Sequence, residues 1–171
     1  MFVLGIDPGL SRCGYGLVRR ADDRNRSLEA VAAGVIETDP DMALPARLWA
    51  VQREVQSLLE EFQPAVVAVE RVFFQVNVKT AMSVGQASGL ALAAAAASGC
   101  AVVEYTSNEV KQALVGYGSA TKAQVQRMVA QVLGLAAPPR PPDAADALAL
   151  AACHLTTMPL RAALDAAGGG R

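Results

Sequence analysis

The sequence predicts an α/β domain in which one five-stranded mixed sheet is flanked by helices. Three observations lead there. Three extended segments follow one another at residues 2–7, 14–19 and 28–37, which reads as an antiparallel meander. After them, apolar residues switch to helical spacing and back twice, and helices close the chain. The run Ala65-Val66-Val67-Ala68-Val69-Glu70 is apolar up to its last residue, which suits a central strand covered on both faces. Such an order builds a single sheet with helices packed on it.

Each element has its own signal. Phe2-Val3-Leu4-Gly5-Ile6-Asp7 is an apolar run that ends in an acid, and Pro8-Gly9 turns the chain. The charged stretch Asp22 to Arg26 reads as the loop between the second and third strands. Asp39-Pro40-Asp41 marks a helix start. Leu44, Leu48, Val51, Val55, Leu58 and Phe62 recur at helical spacing, predicting an amphipathic helix over about 43–62 that Pro64 ends. Residues 71–79 have no period and are expected as loop, with a helix following to about 98. A short strand is expected at 101–105. Thr106 with Glu109, and Thr121 with Gln124, each fit a capping box at a helix start. Pro138, Pro139, Pro141 and Pro142 stiffen the next connection. A last helix is expected from Asp143 to about 157, with a frayed tail over 158–171. Residues 1–157 are thus expected to form one domain.

Composition narrows the class. The chain of 171 residues is 53% hydrophobic and 18% charged, which excludes a disordered chain. Cys13, Cys100 and Cys153 are scattered and odd in number, against a disulfide framework or a zinc site and in favour of the cytoplasm. The N-terminus has no basic start or long apolar stretch of a signal peptide. Residues 81–98 carry no charge, but Gln86, two serines, two glycines and many alanines make a buried helix the expectation rather than a membrane span. A net charge of −1 taken alone argues against a nucleic-acid partner.

The chemistry is carried by acids. Asp7 and Glu70 each end a buried strand, where sites of open α/β sheets lie. If the two strands are parallel neighbours, the carboxylates meet; the alternative is that each merely marks a turn. Asp143 and Asp146 stand at i and i+3 at a helix start, on one side of it. A helix dipole explains one such acid. It leaves unexplained an acid on the face shared with Leu150 and Cys153, since an acid on a buried face needs a cation or a strong donor. Two unit charges at 4 Å repel by about 1 kcal/mol in water and about 4 kcal/mol at an effective dielectric of 20. Four clustered carboxylates therefore call for divalent cations, and oxygen ligands select Mg²⁺ or Mn²⁺. Two ions about 3.5–4 Å apart would suit phosphodiester hydrolysis. With the acids so neutralised, the remaining surface is net positive.

At this point the residues match a family. Gly5-Ile6-Asp7-Pro8-Gly9 with Gly14-Tyr15-Gly16, Glu70-Arg71-Val72-Phe73, Gly85-Gln86-Ala87, Val110-Lys111-Gln112, Gly118-Ser119-Ala120 with Lys122, and Asp143-Ala144-Ala145-Asp146-Ala147-Leu148-Ala149 fall in order across residues 2–154. The chain resembles the RuvC Holliday-junction resolvases of the RNase H-like nuclease superfamily. The opening motif by itself also begins actin-like ATPases, but those need a second phosphate-binding loop and more length.

The resemblance implies an RNase H-like fold and Asp7, Glu70, Asp143 and Asp146 as catalytic, metal-binding acids. It implies Phe73 as a base-stacking aromatic and Lys111 and Lys122 as DNA contacts near the scissile phosphate. The residues agree: Phe73 and Phe74 lie in a polar loop, and one of them is expected to stack while the other tucks into the core. Lys111 and Lys122 are expected in first helical turns, where a cation opposes the dipole and hints at an anionic partner. Arg71, Lys79 and Arg12 are further candidates for phosphate contacts, and His154 is expected to be structural. Gly85 and Gly89 have a spacing that lets helices approach closely. They fit either packing on the chain's own sheet or the dimer contact that the resemblance favours, since the family acts as a symmetric homodimer. The resemblance also implies symmetric nicking of two strands of a four-way junction in recombination and repair, ligatable ends, and RuvA and RuvB as branch-migration partners in a bacterial cytoplasm.

Overall fold

The computed structural model describes residues 1–21, 27–71 and 78–168, side chains excepted at 78–80 and 159–168. The expected loop at Asp22 to Arg26 and the aromatics Phe73 and Phe74 lie outside the described residues.

Strands β1 (Phe2–Asp7), β2 (Arg12–Arg20) and β3 (Leu28–Glu37) form the antiparallel meander. Strands β4 (Val66–Glu70) and β5 (Ala101–Tyr105) add to it in parallel, on the far side of β1. The order β3-β2-β1-β4-β5 is the mixed five-stranded sheet of the RNase H-like fold. β2 starts two residues earlier than its apolar core suggests, because Arg12 and Cys13 find ladder partners in Glu37 and Ile36.

Five helices cover the two faces. Helix α1 (Leu44–Phe62) buries Val51, Val55 and Leu59 at i, i+4 and i+8, each contributing about 1.5–3 kcal/mol of burial. Leu59 rather than Leu58 points deepest, and Leu44 is exposed. Asp39 does not cap α1: its side chain accepts from the Asp41 N–H in a turn before the helix, and Ala43 takes the cap position. Helix α2 (Val78–Ala97) begins inside the stretch expected as loop, since nothing between Val78 and Thr80 breaks the alanine-rich pattern that follows. α1 and α2 pack with Leu4, Ile6, Leu17, Val67 and Val69 on one face of the sheet.

Helices α3 (Ser107–Val115) and α4 (Lys122–Val132) both start at complete capping boxes, Thr106 with Glu109 and Thr121 with Gln124. With α5 (Pro142–Gly168) they bury the other face, around Val3, Val18, Val66, Ala68 and Tyr105. α5 runs past the expected end at about 157, as far as Gly168. The reason is the helix-forming stretch Leu160 to Ala167, which ends only at Gly168-Gly169-Gly170.

Candidate active site

Strand parity brings the acids together. Side chains alternate across a strand, so residues two apart share a face. On β1 that face holds Val3, Gly5 and Asp7, and on β4 it holds Val66, Ala68 and Glu70. The two strands are parallel neighbours in register from Val3↔Val66 to Ile6↔Val69, so Asp7 and Glu70 end side by side.

Helix α5 lies directly on this end of the sheet because three glycines leave room for it. A Cβ on Gly5 would stand 1.9 Å from the Ala147 carbonyl oxygen, one on Gly14 2.2 Å from the Asp143 carbonyl oxygen, and one on Gly16 2.6 Å from the Leu148 nitrogen. The glycines of the opening motif thus set the distance between the strand acids and the helix acids. Leu150 and Cys153, which share a face of α5 with Asp146, are buried in the core.

The outcome is a cleft of about 320 Å³ lined by Asp7, Glu70, Asp146, Lys111, Lys122 and Ser107 over a floor of Val110, Val125, Ala149 and Leu150. Asp143 stands beside the cleft, on the β2 side, and still acts on Asp7 through its charge. Burial first, then the charge and hydrogen bond of Glu70, then Asp146 and Asp143, push the Asp7 carboxyl up to about 8. Asp7 therefore holds a proton where an ion would relieve the repulsion.

The two helix acids have basic partners that the sequence did not announce. Lys122 Nζ lies 2.5 Å from Asp146 Oδ2, and this raises the affinity of the lysine for its proton. Arg12 Nε donates to Asp143 Oδ2 at 3.0 Å, and its Nη1 pairs with Glu37. Among the described residues, no three His, Cys, Asp or Glu side chains converge as they stand on one ion. Ser107 and Glu37 were missed by sequence reasoning. Only the ladder pairing Arg12↔Glu37 could have revealed Glu37.

The remaining candidates fall into place as follows. Lys122 is the first residue of α4, but Lys111 is the fifth residue after the cap at Thr106 and so lies in the second turn of α3. Arg71 is exposed beside Glu70, its backbone N–H bonded to the Tyr105 carbonyl. Lys79 lies in the first turn of α2, its side chain outside the description. His154 is buried, with Nδ1 2.9 Å from the Tyr105 hydroxyl and the rings edge to face, in keeping with a structural part. A Cβ on Gly85 or Gly89 would meet nothing within 4 Å among the described residues, so neither glycine packs on the described part of the sheet. Met82, 60% exposed, lies one turn before Gly85 on α2.

The Asp7 shift has a sign that can be checked without metal. Its proton is bound more tightly in the folded state (about 8) than in the unfolded chain (about 3.9). The contribution is therefore fully present below pH ~4 and lost as pH rises toward ~8. In EDTA, the Tm difference between wild type and Asp7→Asn should move against the wild type from pH 5 to pH 8. A difference that is flat or moves the other way would refute the buried proton.

Comparison with known proteins agrees with this architecture. The family model for crossover junction endodeoxyribonuclease RuvC matches residues 3–154. The chain is 50% identical to a crossover junction endodeoxyribonuclease RuvC of Syntrophomonas wolfei over 96% of this chain and 94% of the relative. It is 52% identical to that of Salinispora arenicola over the full length of both. Among solved structures, Thermus thermophilus RuvC superposes with a TM-score of 0.87 at 37% identity, covering 94% of this chain and 97% of that one. The T. thermophilus RuvC complex with a Holliday junction substrate matches equally, with 94% and 96% covered. The chain belongs to the RuvC family of crossover junction endodeoxyribonucleases.

Proposed function

We propose that this chain resolves Holliday junctions by nicking two strands symmetrically in a divalent-metal-dependent reaction. The observation that carries the reading is the meeting of Asp7, Glu70 and Asp146 in one cleft with Lys111 and Lys122 on its wall. Family membership and the junction-bound T. thermophilus relative support the substrate.

The donor set fits a hard cation. It is all carboxylate oxygen, and the proton held at Asp7 marks a surplus of negative charge that Mg²⁺, or Mn²⁺, would offset. Asp7, Glu70 and Asp146, with Asp143 beside them, would hold two ions. Bound there, the metal supplies Lewis-acid activation of water and charge neutralisation at the phosphodiester. The chain's own residues do the rest. Asp146, paired with Lys122 in the structure, would help hold the cation, and Lys122 would then be available to a phosphate. Lys111 adds a second positive charge to the same wall. Phe73 or Phe74 stacks on an unpaired base, and Arg71 and Lys79 add backbone contacts. The apolar floor keeps bulk water out from below.

A symmetric homodimer suits a two-fold symmetric junction, and the unpacked Gly85–Gly89 face of α2 supports its use as the contact. RuvA and RuvB are the proposed partners and the bacterial cytoplasm the proposed compartment. No helix of the described residues is long and apolar enough to cross a membrane.

The test offers the protein with Mg²⁺ a mobile four-way junction, a linear duplex and an RNA–DNA hybrid. Paired, ligatable nicks in the junction alone are expected. Equal cutting of the duplex or of the hybrid would overturn the reading.

A further inference from the structure

We infer that Arg12, anchored by Glu37, is a positioning residue that holds Asp143 in the orientation in which it serves the metal site. The inference rests on the reading of Asp143 as a metal-binding acid.

Arg12, Gly14 and Gly16 share the face of β2 toward α5. Gly14 lets the backbone at Asp143 touch the strand, and Arg12, two residues earlier, reaches the side chain of the same aspartate. Its Nε donates to Oδ2, and among the described residues no hydrogen bond engages Oδ1. A first-turn aspartate on a helix has several open rotamers, and one charge-assisted hydrogen bond selects among them.

Glu37 does two things for this contact. It stands opposite Arg12 in the β2–β3 ladder and pairs with Nη1, which fixes the guanidinium plane at a second edge. It also cancels the charge of Arg12, so that the pair presents little net repulsion to a cation at Asp143. The Arg12 and Glu37 side chains are 43% and 63% exposed, so solvent screens what remains. Orientation therefore outweighs charge. With Nε and Nη1 engaged, Arg12 has fewer donors left for a phosphate than a free arginine.

An alternative role is a counter-ion that merely occupies Asp143 until metal arrives. The two roles predict opposite signs. Without Arg12, a counter-ion role raises metal affinity, whereas a positioning role lowers it. Lysine separates them further, since it keeps the charge but replaces two fixed edges with one ammonium.

The experiment is a titration of Mn²⁺ into DNA-free protein, followed by the electron paramagnetic resonance signal of free Mn²⁺, for wild type, Asp143→Asn, Arg12→Gln, Arg12→Lys and Glu37→Ala. Circular dichroism and Tm in EDTA confirm that each variant folds, as expected for changes at an exposed ion pair. Arg12→Gln and Arg12→Lys should each raise the Mn²⁺ Kd about 10–100-fold, the range for loss of a group that orients a ligand. Glu37→Ala should shift it the same way by less. Wild-type affinity in Arg12→Lys, tighter binding in Arg12→Gln, or no change in Glu37→Ala would overturn the inference. Unchanged affinity in Asp143→Asn would instead overturn the reading of Asp143 on which it rests.

Discussion

Asp7→Asn should lower junction cleavage by about 10³-fold or more while junction binding persists. Asp7 ends the central strand β1, with Glu70 beside it and Asp143 and Asp146 acting on it through their charges. It is the acid that feels the other three. The amide keeps the shape and removes the charge, so a cation loses its most enclosed ligand. Metal stabilisation of a phosphoryl-transfer transition state is worth several kcal/mol, and about 4 kcal/mol corresponds to 10³ in rate. Binding should persist because the proposed DNA contacts are lysine, arginine and phenylalanine side chains, and because one negative charge fewer favours a polyanion. The check is a gel assay of junction binding in EDTA beside single-turnover cleavage in Mg²⁺. Cleavage within tenfold of wild type would remove Asp7 from the active site.

Gly5→Ala should damage both the fold and the site. The new Cβ would lie 1.9 Å from the Ala147 carbonyl oxygen and 3.0 Å from the Ala147 carbonyl carbon and the Ala151 nitrogen. All three are backbone atoms of α5, so no side chain can swing aside. Relief requires α5 to lift from the sheet, which opens the core around Leu148, Ala151 and Leu155. Overpacking of a close-packed core costs about 1–3 kcal/mol, and more where backbone must move. For a chain of this size, about 3 kcal/mol lowers Tm by roughly 6–12 °C. The same shift carries Asp143 and Asp146 away from Asp7 and Glu70, so cleavage should fall even well below Tm. Thermal melts beside cleavage at 20 °C make the test. An unchanged Tm would mean that α5 does not rest on Gly5.

These two substitutions show what kind of feature the sequence makes legible. Asp7 and Glu70 stood out because an acid at the end of an apolar run breaks a pattern. Their meeting was conditional on β1 and β4 being parallel neighbours, and the sheet meets that condition. The capping boxes at Thr106 and Thr121 were legible because a cap is a contact over three residues. Lys111 lies one turn further along than expected although its cap at Thr106 was legible, and α5 ends about three turns later than expected, because helix C-terminal ends rest on several weak signals.

The four carboxylates and the elements that bear them were determined by the chain itself, through periodicity, strand-end acids and the order of motifs. The distances between them were decided only in the tertiary structure. Gly5, Gly14 and Gly16 read as motif residues within strands, and their function as a seat for α5 appears only once the helix lies on them. The ion pairs Arg12–Asp143 and Lys122–Asp146 join residues more than twenty apart in sequence, one strand to a helix and one helix to another. No local pattern encodes such a pair, because its partners become neighbours only when the hydrophobic faces of the sheet and of α4 and α5 have been buried together.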